Sequence, residues 1–235
     1  MTERKTAAAV GGLYILGTVA GIASVILAGA AFGSPDPMAA IAASGSRVPA
    51  GALAILTMGF ALALVPVLLF PILKKESEAS AIGYVVFRGG LETVTYILIA
   101  ACWILLAGFA PRIAGAGTAD GAGLRAAGEA VLMAAEAVRV MTMFTFSLGA
   151  LILYAAFYRT RLVPRWISLW GIVAILVELA TGFFDLFGGS GTATSVPAWI
   201  HFPIFLQEMV MAVWLIVKGF RTPSGVTGSG AGVGA

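Results

Sequence analysis

The 235 residues are 60% hydrophobic and only 11% charged, with a mean hydropathy of +1.01, whereas soluble domains carry about 25% charged residues. This composition specifies an integral membrane protein. The net charge of +3 comes from basic residues spread over helix ends, so it excludes the basic stripe of a nucleic-acid binder; one cysteine and one histidine, Cys102 and His201, exclude an intrachain disulfide and a cysteine- or histidine-built metal centre.

Six apolar stretches meet the length of about 20 residues that a helix needs to cross a bilayer. They cover 7–32, 48–73, 80–110, 137–158, 166–187 and 197–218. The expected fold is therefore all-α and polytopic, one six-helix transmembrane domain over 1–221. The first stretch exceeds the apolar core of a cleavable signal peptide, about 7–15 residues, so an uncleaved first span is expected. Ser34-Pro35-Asp36-Pro37 ends that span, Lys74-Lys75-Glu76-Ser77-Glu78 parts the second from the third, and Arg159 to Arg165 parts the fourth from the fifth. Residues 188–197, rich in glycine, serine and threonine, join the last two spans. The glycine-rich tail 222–235 has no apolar periodicity and is expected to be disordered.

Lysine and arginine set the orientation. One side carries Arg4, Lys5, Lys74, Lys75, Arg159, Arg161, Arg165, Lys218 and Arg221; the other carries Arg47, Arg112 and Arg125. Both termini are expected on the cytoplasmic side of the cell membrane. The segment from Thr118 to Ala137 mixes Asp120, Arg125, Glu129 and Glu136 with alanines. It reads as an outward extension of the fourth span at the interface. Walker, Rossmann, zinc-protease and serine-hydrolase patterns are absent. No cofactor and no metal is expected, and the bilayer is the expected partner.

The third span contains Arg88 and Glu92, four residues apart on one helical face. A charge in hydrocarbon costs several kcal/mol unless it is paired, neutralised or turned to a wet cavity. Both side chains must therefore face the protein interior. Counting about 1.5 Å per residue from the helix ends places Glu92, Glu178 and Glu208 close to the bilayer midplane, with Arg88 about one turn away. Three carboxylates beside one cation cannot all be ionised, so at least one is expected to carry a proton. A second polar layer lies further out. Glu136 and Arg139 are three apart; Asp185 follows Glu178 by seven residues, and His201 precedes Glu208 by seven, each pair on one face. Trp103, Phe144, Phe146 and Phe205 are among the aromatics able to anchor at the interfaces or wall a cavity.

Each feature has a plain reading too. Arg88 with Glu92 can simply lock the third span to its neighbours, and the acids of the fifth and sixth spans can be interhelical glue. His201 can be an interfacial histidine, and Glu136 with Arg139 a surface pair of little energetic weight. Gly11, Gly12, Gly17 and Gly21 read as a close-packing face. Pro66 and Pro71 read as kinks in the second span.

Several stretches together resemble a family of bacterial and archaeal membrane proteins known as domain of unknown function 4386. They are the opening Arg4-Lys5-Thr6-Ala7-Ala8-Ala9 with Gly17 to Ile22; Pro71 to Lys75; Gly83 to Glu92; Leu162-Val163-Pro164-Arg165-Trp166 with Trp170-Gly171; and Leu206 to Val210 through Lys218-Gly219-Phe220. The resemblance implies six helices and no particular activity. The family pattern includes the Arg-x-x-x-Glu of the third span and the Gln-Glu of the last, which carries over Arg88, Glu92, Gln207 and Glu208. Family members often have Arg-Asp-Trp where this chain has Arg139-Val140-Met141.

The expected function is acid-initiated chemistry inside the membrane on a lipophilic, isoprenoid-like substrate. A protonated carboxyl in an apolar cavity can protonate an alkene or epoxide, and aromatic faces can stabilise the cation formed. This logic resembles that of small membrane terpene cyclases, in chemistry and not in motif. Glu92, Glu208, Arg88 and Glu178 are the candidate catalytic residues. Tyr96, Gln207, His201, Phe205, Trp103 and Asp185 are candidates for holding the substrate. Two alternatives stand beside it: a binder or proton-coupled transporter of a small lipophilic molecule, and a structural membrane subunit whose buried ions fix packing.

Overall fold

A computed structural model of the chain describes residues 2–116, 118–187 and 198–221. The expected 188–197 connection and the glycine-rich tail from 222 lie outside the described residues. Among the described residues the fold is helical throughout, and six helices are long and apolar enough to cross a membrane.

Helix α1 (Glu3–Phe32) starts at Thr2, whose hydroxyl accepts from the Lys5 amide, and stops at Gly33. Asp36 caps a short helix, α2 (Pro37–Ala43), with a proline in its first turn. Gly45, at φ +58°, turns the chain into α3 (Arg47–Leu73); this left-handed conformation suits a residue without Cβ. Pro66 and Pro71 both lie inside α3.

The third span changes its winding on the way. It begins as α4 (Glu78–Tyr84), widens into a π-helical turn over Val85–Leu91, and continues as α5 (Glu92–Gly115). The Glu92 amide bonds back five residues to the Phe87 carbonyl. Gly89 and Gly90 make this region a poor α-helix former. The turn also lets neighbours approach closely. A Cβ at Gly89 would lie 3.2 Å from the Pro66 ring, and one at Gly149 3.2 Å from the Arg88 nitrogen.

Helix α6 (Thr118–Thr160) has 43 residues. At about 1.5 Å per residue it is roughly twice the hydrocarbon thickness. It runs unbroken through the amphiphilic segment and the fourth span. Helix α7 (Arg165–Phe187) follows a short link, and a 3-10 turn (Ala198–His201) leads into α8 (Phe202–Val217).

The long helices close into a ring. Helix α1 packs on α3, α3 on the third span, the third span on α6, α6 on α7, α7 on α8, and α8 returns to α1. The start of α1 and the end of α8 meet at one end, where Arg4 donates to the Leu215 and Val217 carbonyls at 3.1 Å each. Both carbonyls lie at the C-terminal end of α8, and that of Leu215 also accepts from the Gly219 amide at 3.1 Å. Glu3 reaches Lys75 at 2.8 Å at the same end.

Packing is uneven along the ring axis. The half near the termini is filled by Tyr14, Leu69, Leu73, Tyr84, Phe157 and Ile167, all buried. A smaller cluster closes the far end, with Ala28, Met38, Ile41 and Leu106. Side chains such as Leu16, Val19, Phe60, Val67, Leu105 and Val213 point outward. Apolar residues cover this exterior because lipid, not water, is the solvent.

Candidate functional site

The π-turn presents Arg88 to the ring interior, where its side chain is 2% exposed. One terminal nitrogen, Nη1, donates to both oxygens of Glu92 at 2.8 and 3.0 Å. The other, Nη2, reaches Glu208 on α8 at 3.4 Å. Tyr96, one turn beyond Glu92, donates its hydroxyl to the same carboxylate at 2.8 Å. The guanidinium also lies 4.9 Å from the Phe146 ring centre and 5.7 Å from that of Tyr14. Among the described residues its Nε has no partner. Spreading a buried charge over two acids and two ring faces is what a low-dielectric interior requires.

The two acids are unequally held. Glu92 accepts three hydrogen bonds of 3.0 Å or less, which occupies both oxygens. Among the described residues Glu208 accepts a single long one. Glu208 also opens onto a cavity of about 380 Å³, beside Arg88, Tyr96 and Phe146. The cavity extends toward the end away from the termini, between apolar side chains such as Met58, Ile99 and Met143, and ends at Arg139.

Arg139 belongs to a second cluster. It donates to Glu136 at 2.7 to 3.0 Å and to Asp185 on α7 at 3.0 Å. This cluster is more open, with the side chains of Arg139 and Glu136 44% and 63% exposed. Nearby, the Nδ1 of His201 is 2.8 and 2.9 Å from the oxygens of Glu178.

The expected three-acid layer is thus divided. Glu92 and Glu208 surround Arg88, whereas Glu178 turns to His201. Depth along a helix fixes height, not the direction in which a side chain leaves it. Tyr96 lines the cavity as a substrate-holding residue would. Gln207 does not: it is fully buried, accepts from the Tyr154 hydroxyl at 2.7 Å and donates to the Ile167 carbonyl at 3.0 Å, tying α8 to α6 and α7. Trp103 lies tilted against Phe32 with ring centres 4.6 Å apart, and Phe205 lies beside Phe202 at 5.9 Å; neither borders this cavity. Asp185 pairs with Arg139 and does not border the cavity. Among the described residues, no three His, Cys, Asp or Glu side chains gather as a metal site would need.

Two tyrosines escaped the sequence reading. Tyr14 and Tyr84 are buried below Arg88, with their hydroxyls 3.2 Å apart. Tyr84 is one turn before Arg88 and so on its face; Tyr14 lies between Gly11 and Gly17, on the face that packs inward. Both signals were present in the spacing. Phe146 was one of several aromatics able to wall a cavity, but the methionines of the cavity had no signal, since nothing in an apolar run tells a wall from a lipid contact.

No curated protein and no solved structure matches the chain. A family model matches across the ring, from α1 to just past α8, and so takes in Arg88, Glu92, Tyr96, Arg139 and Glu208. The chain belongs to the family described as a domain of unknown function, DUF4386, over residues 9–219.

Proposed function

We propose that the protein binds a small lipophilic molecule within the membrane, and that Glu208 exchanges a proton with that molecule or on its account. One observation carries this reading. Glu208 is the acid that Arg88 holds only loosely, and it stands in the wall of a largely apolar cavity. A pocket of a few hundred Å³ with few polar groups suits a small apolar ligand with one polar end. Glu92, tied by three bonds, is the anchor of Arg88 and not the exchanging group.

The test is mass spectrometry of solvent extracts from protein purified in mild detergent, wild type beside Glu208→Gln. The substitution keeps the size and removes the acid. A discrete lipophilic compound should accompany wild type and be lost or at least ~10-fold depleted in the variant, a loss of about 1.4 kcal/mol. Bulk phospholipid alone in both samples contradicts the proposal.

Acid-initiated chemistry is the second reading, because Tyr96 and Phe146 share the cavity with Glu208. Proton transfer to an alkene would leave a cation facing those rings. Turnover of an isoprenoid by wild type, lost in Glu208→Gln, would favour it over simple binding. We place the protein in the cell membrane with both termini cytoplasmic, on the lysine and arginine asymmetry. A C-terminal reporter active only outside the cytoplasm should stay silent; a strong signal overturns that orientation.

A further inference from the structure

Two arginines meet the cavity, Arg88 at its deep end and Arg139 at the other. Each is shared by two carboxylates: Glu92 and Glu208 for Arg88, Glu136 and Asp185 for Arg139. In each cluster the closer acid sits within 2.8 Å of the guanidinium. Neither arginine has charge left over for an anionic ligand. With all acids ionised, each end holds one negative charge in excess.

The two ends differ in consequence. The excess at the outer end is carried by largely exposed side chains, Glu136 and Arg139. At the deep end it is not. The charged and titratable groups around Glu208 are Arg88, Glu92 and Tyr96 from the third span, Glu178 from α7, Tyr14 from α1 and Tyr154 from α6. Arg88 is the one fixed cation in that set, and Glu92 already takes both of its Nη1 bonds. A negative charge on Glu208 therefore needs a second positive charge, brought from outside.

We infer that the ligand is a lipophilic monocation, an amine or quaternary ammonium on a compact apolar body, whose charge takes the place of the Glu208 proton. This rests on the cavity being a ligand site, as proposed above. The exchange is balanced. The carboxylic acid of Glu208 releases one proton to solvent, and the resulting carboxylate pairs with the cation; no other bond changes. The Tyr96 and Phe146 rings in the wall add faces that suit an ammonium group. An anion would meet Glu208 itself and two arginines already neutralised.

Three probes of similar shape separate the possibilities: benzyltrimethylammonium, neutral neopentylbenzene and the anion benzylsulfonate. Binding of each to the full chain in mild detergent is followed by calorimetry between about pH 6 and 8, in buffers of different protonation enthalpy. The cation should bind with release of close to one proton. Where Glu208 is protonated in the free protein, its affinity should rise about tenfold per pH unit. Glu208→Gln should abolish the proton release and weaken binding at least tenfold, while Glu208→Asp retains both features. Equal binding of the neutral probe, without proton release, overturns the cationic class and leaves the cavity a ligand site. Preference for the anion does the same. Failure of all three probes on wild type overturns both readings.

Discussion

Arg88→Leu is expected to prevent the chain from accumulating as a folded, monodisperse species in mild detergent. The change removes the cation that four groups are arranged around: the buried Glu92 and Tyr14 and the partly buried Glu208 and Phe146. Breaking one side of a buried ion pair costs about 3–5 kcal/mol, because the partner stays buried without compensation. The asymmetry of the cluster sharpens the expectation. Glu92→Gln discards a carboxylate with three short bonds and should cost clearly more than Glu208→Gln, which discards one long bond. Arg88→Leu combined with Glu92→Leu should recover part of the loss, since an apolar pair of similar volume leaves only Glu208 to be neutralised. Thermal denaturation followed by size-exclusion chromatography gives the order. Equal melting of Glu92→Gln and Glu208→Gln would contradict the unequal roles assigned to the two acids.

The second large effect is expected from one methyl group. A Cβ at Gly11 would sit 2.5 Å from the Ala212 carbonyl oxygen and 2.8 Å from Ile216. The first of these is backbone and cannot swing aside. Gly11→Ala should therefore push α1 off α8 and open the ring where its first and last helices meet. Overpacking of this kind costs about 1–3 kcal/mol. Gly12, its neighbour, has nothing within 4 Å of the same position, so Gly12→Ala should melt with wild type. The pair is its own control, and identical melting of the two variants would show that the α1–α8 contact is looser than described.

Helices were the legible part of this sequence. Runs of about 20 apolar residues punctuated by charge and proline mark spans because hydrocarbon admits few alternatives. The cost of a charge in lipid likewise turned Arg88 and Glu92 inward without further information, and helical spacing put them in contact. What spacing cannot give is the rotation of one helix against another. Glu178 and Glu208 are at similar depth in their helices, yet one meets His201 and the other Arg88. Only the closure of α8 onto α1 and α7 decides that. The same limit explains Gln207 and Trp103, which look like polar and aromatic site residues in sequence but serve packing. The π-turn was hidden for another reason. Gly89 and Gly90 weaken the α-helix locally, but the neighbours that lie close against the turn, Pro66 and Gly149, are distant in the chain.

On the reading proposed above, the space between Arg139 and Glu208 is a ligand site. Its most direct measurement is an experimental structure of the protein in lipid nanodiscs, at a resolution that shows small molecules. The account predicts elongated non-protein density inside the ring, bordered by Met58, Met143 and Phe146, with one end within hydrogen-bonding distance of Glu208. Closure of those side chains over the same volume, with Glu208 drawn fully onto Arg88, would contradict it and leave the buried ions as a device for packing helices.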